Sequence, residues 1–183
     1  MELLDIVDET GVPTGKTVER TAAHQYGIRH RTSHVWLLRK CHGKVQVLLQ
    51  QRSLNKDSHP GCYDISSAGH IPAGESFVES ALRELREELG VVASEGELID
   101  CGQRRFEYRS SFHGLKFWDN QVSNVYVLWR DMEPGDFNLQ RAEVASVLWM
   151  DLDQCMDWVN SAAFPNCIQI NELQMISSAM DKI

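Results

Sequence analysis

The stretch GHIPAGESFVESALRELREELGV, residues 69–91, combines an amphipathic helix with a cluster of acidic side chains. Its apolar residues recur three and four positions apart, the spacing of one helix face; they are Val78, Ala81, Leu82, Leu85 and Leu89. Glu84, Glu87 and Glu88 fall at positions i, i+3 and i+4 and share an arc of about 100° beside that face. Glycine tolerates the left-handed conformation that follows a last helical turn, so Gly90 is expected to end the helix.

The three glutamates indicate a site for a divalent cation. Like charges four residues apart destabilise a helix by a few tenths of a kcal/mol, so gathered carboxylates are better explained when something positive lies between them. Hard oxygen ligands suit Mg2+ or Mn2+, and these cations also bind the oxygens of a diphosphate. A solvated acidic face, the usual meaning of a glutamate run, is the alternative.

The whole stretch fits the pattern G-x5-E-x7-R-E-U-x-E-E-x-G-U, where U is aliphatic. The matching residues are Gly69, Glu75, Arg83, Glu84, Leu85, Glu87, Glu88, Gly90 and Val91. This is the signature of the Nudix family, which cleaves nucleoside diphosphates linked to another group and related diphosphates, and the chain resembles that family closely. The resemblance implies an α/β fold, the Nudix α/β/α sandwich with a mixed β-sheet, as a single domain over residues 1–183.

The same resemblance assigns roles within the signature. The family's glutamates at the positions of Glu84, Glu87 and Glu88 bind Mg2+ or Mn2+, and the first glycine, here Gly69, offers its backbone carbonyl to a metal. Bound metal lowers the pKa of a water molecule and orients the displacement. Glu84 and Glu87 are therefore the predicted catalytic residues, with Glu84 able to act as general base and the choice of base left open. Arg83 is expected to be structural and to pair with the glutamate at position 75.

Outside the signature the chain is similar to one branch of the family, isopentenyl-diphosphate delta-isomerase. The similar stretches are residues 12–24, 30–38, 51–70 and 106–109, with an N-terminal isomerase-like extension of about residues 1–33. This resemblance implies a second metal site at His24, His30 and His70. It also implies that Arg52 and Lys56 hold the substrate diphosphate. The alternative for each histidine is an ordinary packed or exposed side chain.

Two departures from the isomerase pattern favour hydrolysis over isomerisation. Ala68 stands where the isomerase has its catalytic cysteine, and Gln121 falls where it has a catalytic glutamate, with Asp119 in place of a neighbouring metal-binding glutamate. Alanine cannot protonate or deprotonate a carbon, and an amide does not relay a proton as a carboxylate does. Glu143 is either an auxiliary ligand or base or part of local structure. A diphosphate-binding protein without turnover is a third reading.

Composition limits the partners. A net charge of −8 argues against general nucleic-acid binding. No apolar run approaches the roughly 18 residues that a membrane helix needs, and the acidic N-terminus is unlike a secretory signal. The five cysteines are odd in number and lack C-x-x-C spacing, which predicts free thiols and a cytoplasmic location.

We expect a small diphosphate as the partner, and a homodimer is compatible because family members are often dimers. The sequence does not distinguish nucleotides, sugar nucleotides, coenzyme A and prenyl diphosphates as substrates.

Turn signals and apolar patterns predict the remaining elements. An opening hairpin precedes strands at 34–38 and 44–52, and a long antiparallel pair covers 96–110 and 120–130, with a turn at His113 and Gly114 between them. A further strand begins near residue 147, and helices are expected at 152–159 and 168–180. Arg104 and Arg105 should point to opposite faces of their strand, so at most one faces the site. Trp118 is predicted on a loop near the site, as a packing aromatic rather than a base-stacking one.

Overall fold

The computed structural model describes residues 2–56, 58–112 and 114–180. Its strands are β1 (Leu3–Val7), β2 (Pro13–Glu19), β3 (His30–Cys41), β4 (Lys44–Arg52), β5 (Tyr63–Asp64), β6 (Ser67–His70), β7 (Ile99–Phe112), β8 (Leu115–Trp129) and β9 (Val144–Asp151). Its α-helices are α1 (Arg20–Tyr26), α2 (Phe77–Leu89), α3 (Leu152–Ser161) and α4 (Ile170–Met180).

A mixed β-sheet forms the middle layer. Five strands follow the order β5-β4-β3-β8-β7, while β6 pairs with the first half of β3 and β9 pairs with β4. β3 and β8 run parallel, and the other pairs are antiparallel. β1 and β2 form a separate hairpin. The sheet is therefore mixed, as the sequence predicted.

Helices cover both faces of this sheet because its strands alternate apolar side chains between two cores. One core joins Trp36, Val125 and Val127 to apolar residues of α3 and α4. The other joins Val35, Leu37 and Leu48 to the apolar stripe of α2. The predicted α/β/α arrangement is confirmed, and α2 lies on one side of the sheet with α3 and α4 on the other.

The boundaries of α2 follow from its sequence. Ser76 caps the helix by accepting from the Glu79 backbone N–H at 3.2 Å, and the Glu79 carboxylate accepts from the Ser76 N–H at 2.9 Å. This reciprocal pair satisfies two backbone donors at the start of the helix. Gly90 ends it with φ of 70°, a left-handed conformation that favours glycine. The helix that carries the three glutamates thus begins and ends at fixed points.

The structure also differs from the prediction in detail. Helix α1 was not predicted, and α3 ends at Ser161 rather than 159 while α4 begins at Ile170 rather than 168. The placement of Trp118 on a loop was wrong, since it lies within β8. Its indole packs where a Gly27 side chain would be and donates to Glu107 Oε1 at 3.0 Å. The predicted turn residue His113 lies outside the described residues, and Gly114 has φ of 78°.

Two further predictions concern cysteines and membranes. Cys41, Cys62, Cys101, Cys155 and Cys167 are all free. Among the described residues, no helix combines the length and apolar character that a bilayer crossing requires. The free thiols agree with the sequence-based expectation.

Candidate metal and diphosphate site

β6 separates two clusters of potential ligands because its residues alternate between its faces. Gly69 lies against α2, where a β-carbon on this residue would come within 2.2 Å of the Glu84 carboxyl carbon. The lack of a side chain at position 69 is what lets the Glu84 carboxylate approach the β6 backbone. The structure therefore brings together Gly69 and Glu84, two residues that the resemblance assigned to metal binding.

Glu88 is the most enclosed acid of the three, at 5% exposed. Its Oε2 accepts hydrogen bonds from the Ser67 hydroxyl at 2.7 Å and from the Ala68 backbone N–H at 3.3 Å. Burial raises the pKa of Glu88 to about 8, and the negative charge of Glu84 acts in the same direction. Burial also raises the pKa of Glu84, with the Arg83 guanidinium opposing it. A bound divalent cation would compensate both carboxylates, so this donor set fits such a cation.

Arg83 holds the more exposed carboxylates of the signature. Its Nη1 lies 2.7 Å from Glu84 Oε1 and 3.4 Å from Glu87 Oε2, and its Nε lies 3.5 Å from Glu75 Oε2. The predicted pairing with Glu75 is present, and the same guanidinium also reaches two of the proposed ligands. Arg83 thus supplies part of the positive charge that the acid cluster was expected to need.

Arg52 and Lys56 line one cleft with Ala68 and Gly69. Arg52 Nη1 pairs with Asp64 Oδ2 at 3.0 Å and its Nε donates to the Ser58 carbonyl at 3.2 Å. The Lys56 ammonium pairs with the Glu143 carboxylate. These contacts hold two cationic side chains near Glu88. The Lys56 ammonium lowers the pKa of Glu88, but burial raises that pKa by more.

The second cluster consists of His24, His30 and His70, whose nearest ring nitrogens all lie within 4.8 Å of one another. His70 Nε2 is 3.2 Å from His24 Nε2. Asp119 Oδ1 is 3.6 Å from the Nε2 atoms of both His24 and His30. The three residues come from α1, β3 and β6, so only the fold brings them together.

The electrostatics of this cluster suit a cation. His30 Nε2 and Asp119 Oδ1 are buried and have no hydrogen-bond partner among the described residues, while His30 Nδ1 is fixed 2.9 Å from the Ile28 carbonyl. Burial lowers the pKa of His30, and it lowers the pKa of His70 well below its ordinary value. Neutral imidazoles present lone pairs, which is the form that binds metals. The orphaned atoms and the donor types fit a divalent metal.

One cleft with a volume of about 1110 Å³ is lined by Gly69, by His24 and His70, and by Asp119. Its floor contains a buried ionic network that the sequence reasoning did not identify, formed by His34, Arg104 and Glu172. Glu172 lies on α4 and is 138 residues from His34 along the chain, so no local spacing links them. Arg104 lines this cleft while Arg105 pairs with Glu9 on the exposed surface, so the two side chains point to opposite faces of β7, as predicted.

Comparison with known proteins identifies a NUDIX domain over residues 28–166. An uncharacterized Nudix hydrolase of Clostridium acetobutylicum is 37% identical over 153 residues, covering 84% of this chain and 71% of that protein. The isopentenyl-diphosphate delta-isomerase of Escherichia coli O127:H6 is 33% identical over 149 residues, covering 80% of this chain and 75% of that one.

Solved structures with the same fold include proteins of low sequence identity. A Deinococcus radiodurans protein superposes with a TM-score of 0.66 at 21% identity, covering 90% of this chain and 92% of that chain. The Ap4A hydrolase of C. elegans superposes with a TM-score of 0.58 at 19% identity, covering 84% of this chain and 98% of that chain. At such identities the agreement establishes the fold.

Proposed function

Since this chain belongs to the Nudix family of hydrolases, we propose that it is a Mg2+- or Mn2+-dependent pyrophosphohydrolase. Its substrate is a nucleotide or a related small molecule with a diphosphate linkage, in which water attacks one phosphorus and the bridging P–O bond breaks. The observation that carries the proposal is the packing of Glu84 against Gly69 beside the buried Glu88.

The residues of the signature have separate roles in the proposed reaction. When bound, a divalent cation polarises a phosphoryl oxygen and lowers the pKa of an attacking water. Glu84, Glu88 and the Gly69 carbonyl would hold the cation, with Glu87 as a further ligand at the exposed end of the cluster. Glu84 would also accept a proton from that water, the role that the resemblance assigns to it. Arg83 positions Glu84 and Glu87 through its guanidinium.

Substrate binding falls to the cations beside β6. Arg52 and Lys56 line the cleft next to Gly69, where they are placed to neutralise a diphosphate. Glu143 is paired with Lys56 in this state. A substrate phosphate would compete for that lysine, which would free Glu143 to act as an auxiliary base.

The histidine cluster is part of the same proposal. His24, His30 and His70, with Asp119, would hold a second divalent cation, which would satisfy the orphaned nitrogen of His30 and the orphaned oxygen of Asp119. Free cysteines fit a reducing compartment, and we place the enzyme in the cytoplasm. A homodimer is compatible with the resemblance to the family, and sedimentation would test it.

A panel of nucleotide, sugar-nucleotide, coenzyme A and prenyl diphosphates, incubated with Mg2+, tests the activity through phosphate and monophosphate release. Glu84→Gln should lower kcat by on the order of 10²-fold, the scale of a lost general base. Glu79→Gln is the matched control, because it removes one charge from the same helix while an amide oxygen still accepts from Ser76. Silence across the panel, or equal loss in both variants, would contradict the proposal.

A second candidate is isomerisation of isopentenyl diphosphate, favoured by the histidine cluster and by the isomerases among the relatives. Ala68 and Gln121 both line the cleft, and neither side chain exchanges a proton with carbon. We therefore expect no incorporation of deuterium from D2O into isopentenyl diphosphate by NMR. Incorporation under any metal would reverse the order of the two candidates.

A further inference from the structure

Strand β6 and helix α2 meet in step at the proposed cation site. Gly69 lies against Glu84, and Ser67 lies against Glu88. Alternate residues of a strand are about 6.6 Å apart, and residues four apart on a helix are separated by a rise of about 6 Å. The two pairs therefore remain aligned. Gly69 admits the Glu84 carboxylate because it has no side chain, whereas Ser67 presents a hydroxyl to Glu88.

The Ser67 hydroxyl and its neighbouring amide hold one oxygen of Glu88. Ser67 is 0% exposed, and its Oγ donates to Glu88 Oε2 at 2.7 Å. The same oxygen accepts from the Ala68 backbone N–H at 3.3 Å. The other oxygen, Glu88 Oε1, accepts no hydrogen bond from any residue that the structure describes. Glu88 thus has one oxygen held by β6 and one free for a cation.

The neighbouring serine, Ser66, shows what a structural hydroxyl does in this strand. Ser66 is also 0% exposed, and its hydroxyl donates to the Leu48 carbonyl at 2.6 Å and accepts from the Leu37 N–H at 2.8 Å. It therefore joins β6 to β3 and β4. The Ser67 hydroxyl instead has a carboxylate as its partner. A buried hydroxyl costs free energy unless it is hydrogen-bonded, so the contact with Glu88 explains why a serine is tolerated at position 67.

We propose that Ser67 is a positioning residue for the divalent cation: it holds Glu88 Oε2 so that Oε1 faces the ion, and it thereby sets the affinity of the site. This inference rests on the proposed cation site at Glu84, Glu88 and the Gly69 carbonyl. Groups that hydrogen-bond a metal ligand fix its orientation, and their removal typically lowers metal affinity by about 10- to 100-fold. Because Ser67 is buried, its effect passes through Glu88.

The test measures Mn2+ affinity in the metal-free protein. Binding is followed by calorimetry and by the electron paramagnetic resonance of free Mn2+, and the ion that Glu88→Gln loses identifies the glutamate site. Ser67→Ala removes only the hydroxyl that contacts Glu88. Ser66→Ala is the matched control, because it removes an equally buried hydroxyl one residue away that contacts only backbone groups. Urea unfolding with a chelator gives the stability of each variant.

Ser67→Ala should weaken Mn2+ binding at the glutamate site by about 10- to 100-fold. Ser66→Ala should lower stability and leave the Mn2+ affinity of the folded protein unchanged. A merely structural role for Ser67 would change stability alone. Equal Mn2+ affinities in the wild type and Ser67→Ala overturn the inference, and so does an equal loss of affinity in Ser66→Ala.

A structure of the wild-type Mn2+ complex tests the inference without a variant. Glu88 Oε1 should bind the ion, and Oε2 should stay about 3 Å from Ser67 Oγ. An ion bound to Oε2, or to both oxygens, overturns the inference even where Ser67→Ala fails to fold. Weaker Mn2+ binding in Ser67→Ala, with no phosphate release by the wild type, would support the inference while contradicting the proposed hydrolysis. Phosphate release by the wild type, with unchanged affinity in Ser67→Ala, would do the reverse.

Discussion

Replacing Glu88 by glutamine should stabilise the protein without metal while weakening its hold on the cation. Glutamine keeps the size of the side chain and an oxygen that accepts from Ser67 and Ala68. It removes the charge that burial makes unfavourable. In the wild type, the buried charge of Glu88 would thus bind the cation at a cost in stability, a trade-off common at functional sites.

The size of the effect follows from the pKa of Glu88, which burial raises from 4.5 to about 8. A raised pKa for an acid means that its contribution to stability is fully present below pH 4.5 and is lost as the pH rises toward 8. Each step of one in pKa corresponds to about 1.4 kcal/mol. Between pH 5 and pH 8 the unfolding free energy of the wild type should therefore fall about 3 kcal/mol further than that of Glu88→Gln.

Urea unfolding at pH 5, 6, 7 and 8 with a chelator, followed by tryptophan fluorescence, measures this difference. Adding Mg2+ at pH 8 should recover stability in the wild type but much less in Glu88→Gln, because cation binding replaces the proton. Glu79→Gln controls for loss of a surface charge, since Glu79 is exposed and its pKa is lowered by its bonds to Ser76. Parallel pH profiles for the wild type and Glu88→Gln would refute the reasoning.

Three further substitutions test separate parts of the site. Gly69→Ala places a methyl group within 2.2 Å of the Glu84 carboxyl carbon. The fold should stay intact because the flexible end of Glu84 can move. The displaced carboxylate should lower kcat by on the order of 10²-fold in hydrolysis assays. Ser76→Ala should lower the unfolding free energy by about 1 kcal/mol in urea, with no change in metal affinity per folded molecule, since it removes only the cap of α2. His70→Ala should reduce the number of Mn2+ ions bound per chain by one in equilibrium dialysis while retaining the ion at the glutamates, and loss of both ions would show that the clusters are one site.

Helix α2 was predictable because all its signals are local. A serine cap, an apolar stripe and a terminal glycine lie within one short segment, and each has the same structural meaning in any context. Helix α1 lacks such signals: its N-cap residue Glu19 makes no side-chain cap hydrogen bond, and the helix buries only Ala23. Only Gly27, which ends it at φ of 64°, offered a local indication.

Part of the candidate site was likewise predictable from local sequence spacing, and part was not. Glu84, Glu87 and Glu88 share a helix face because of their spacing, so their grouping follows from the sequence. The resemblance to the isomerase identified His24, His30 and His70, although their convergence depends on three separate elements. Nothing comparable pointed to the network of His34 and Glu172, since buried polar partners are chosen by tertiary packing.

Diffraction from crystals soaked in Mn2+, with anomalous scattering recorded at the manganese edge, tests the central claim most directly. The account predicts a peak coordinated by the Glu84 and Glu88 carboxylates and the Gly69 carbonyl, and its loss in Glu84→Gln. Crystals that show manganese elsewhere, with these carboxylates empty and turned toward solvent, would contradict it.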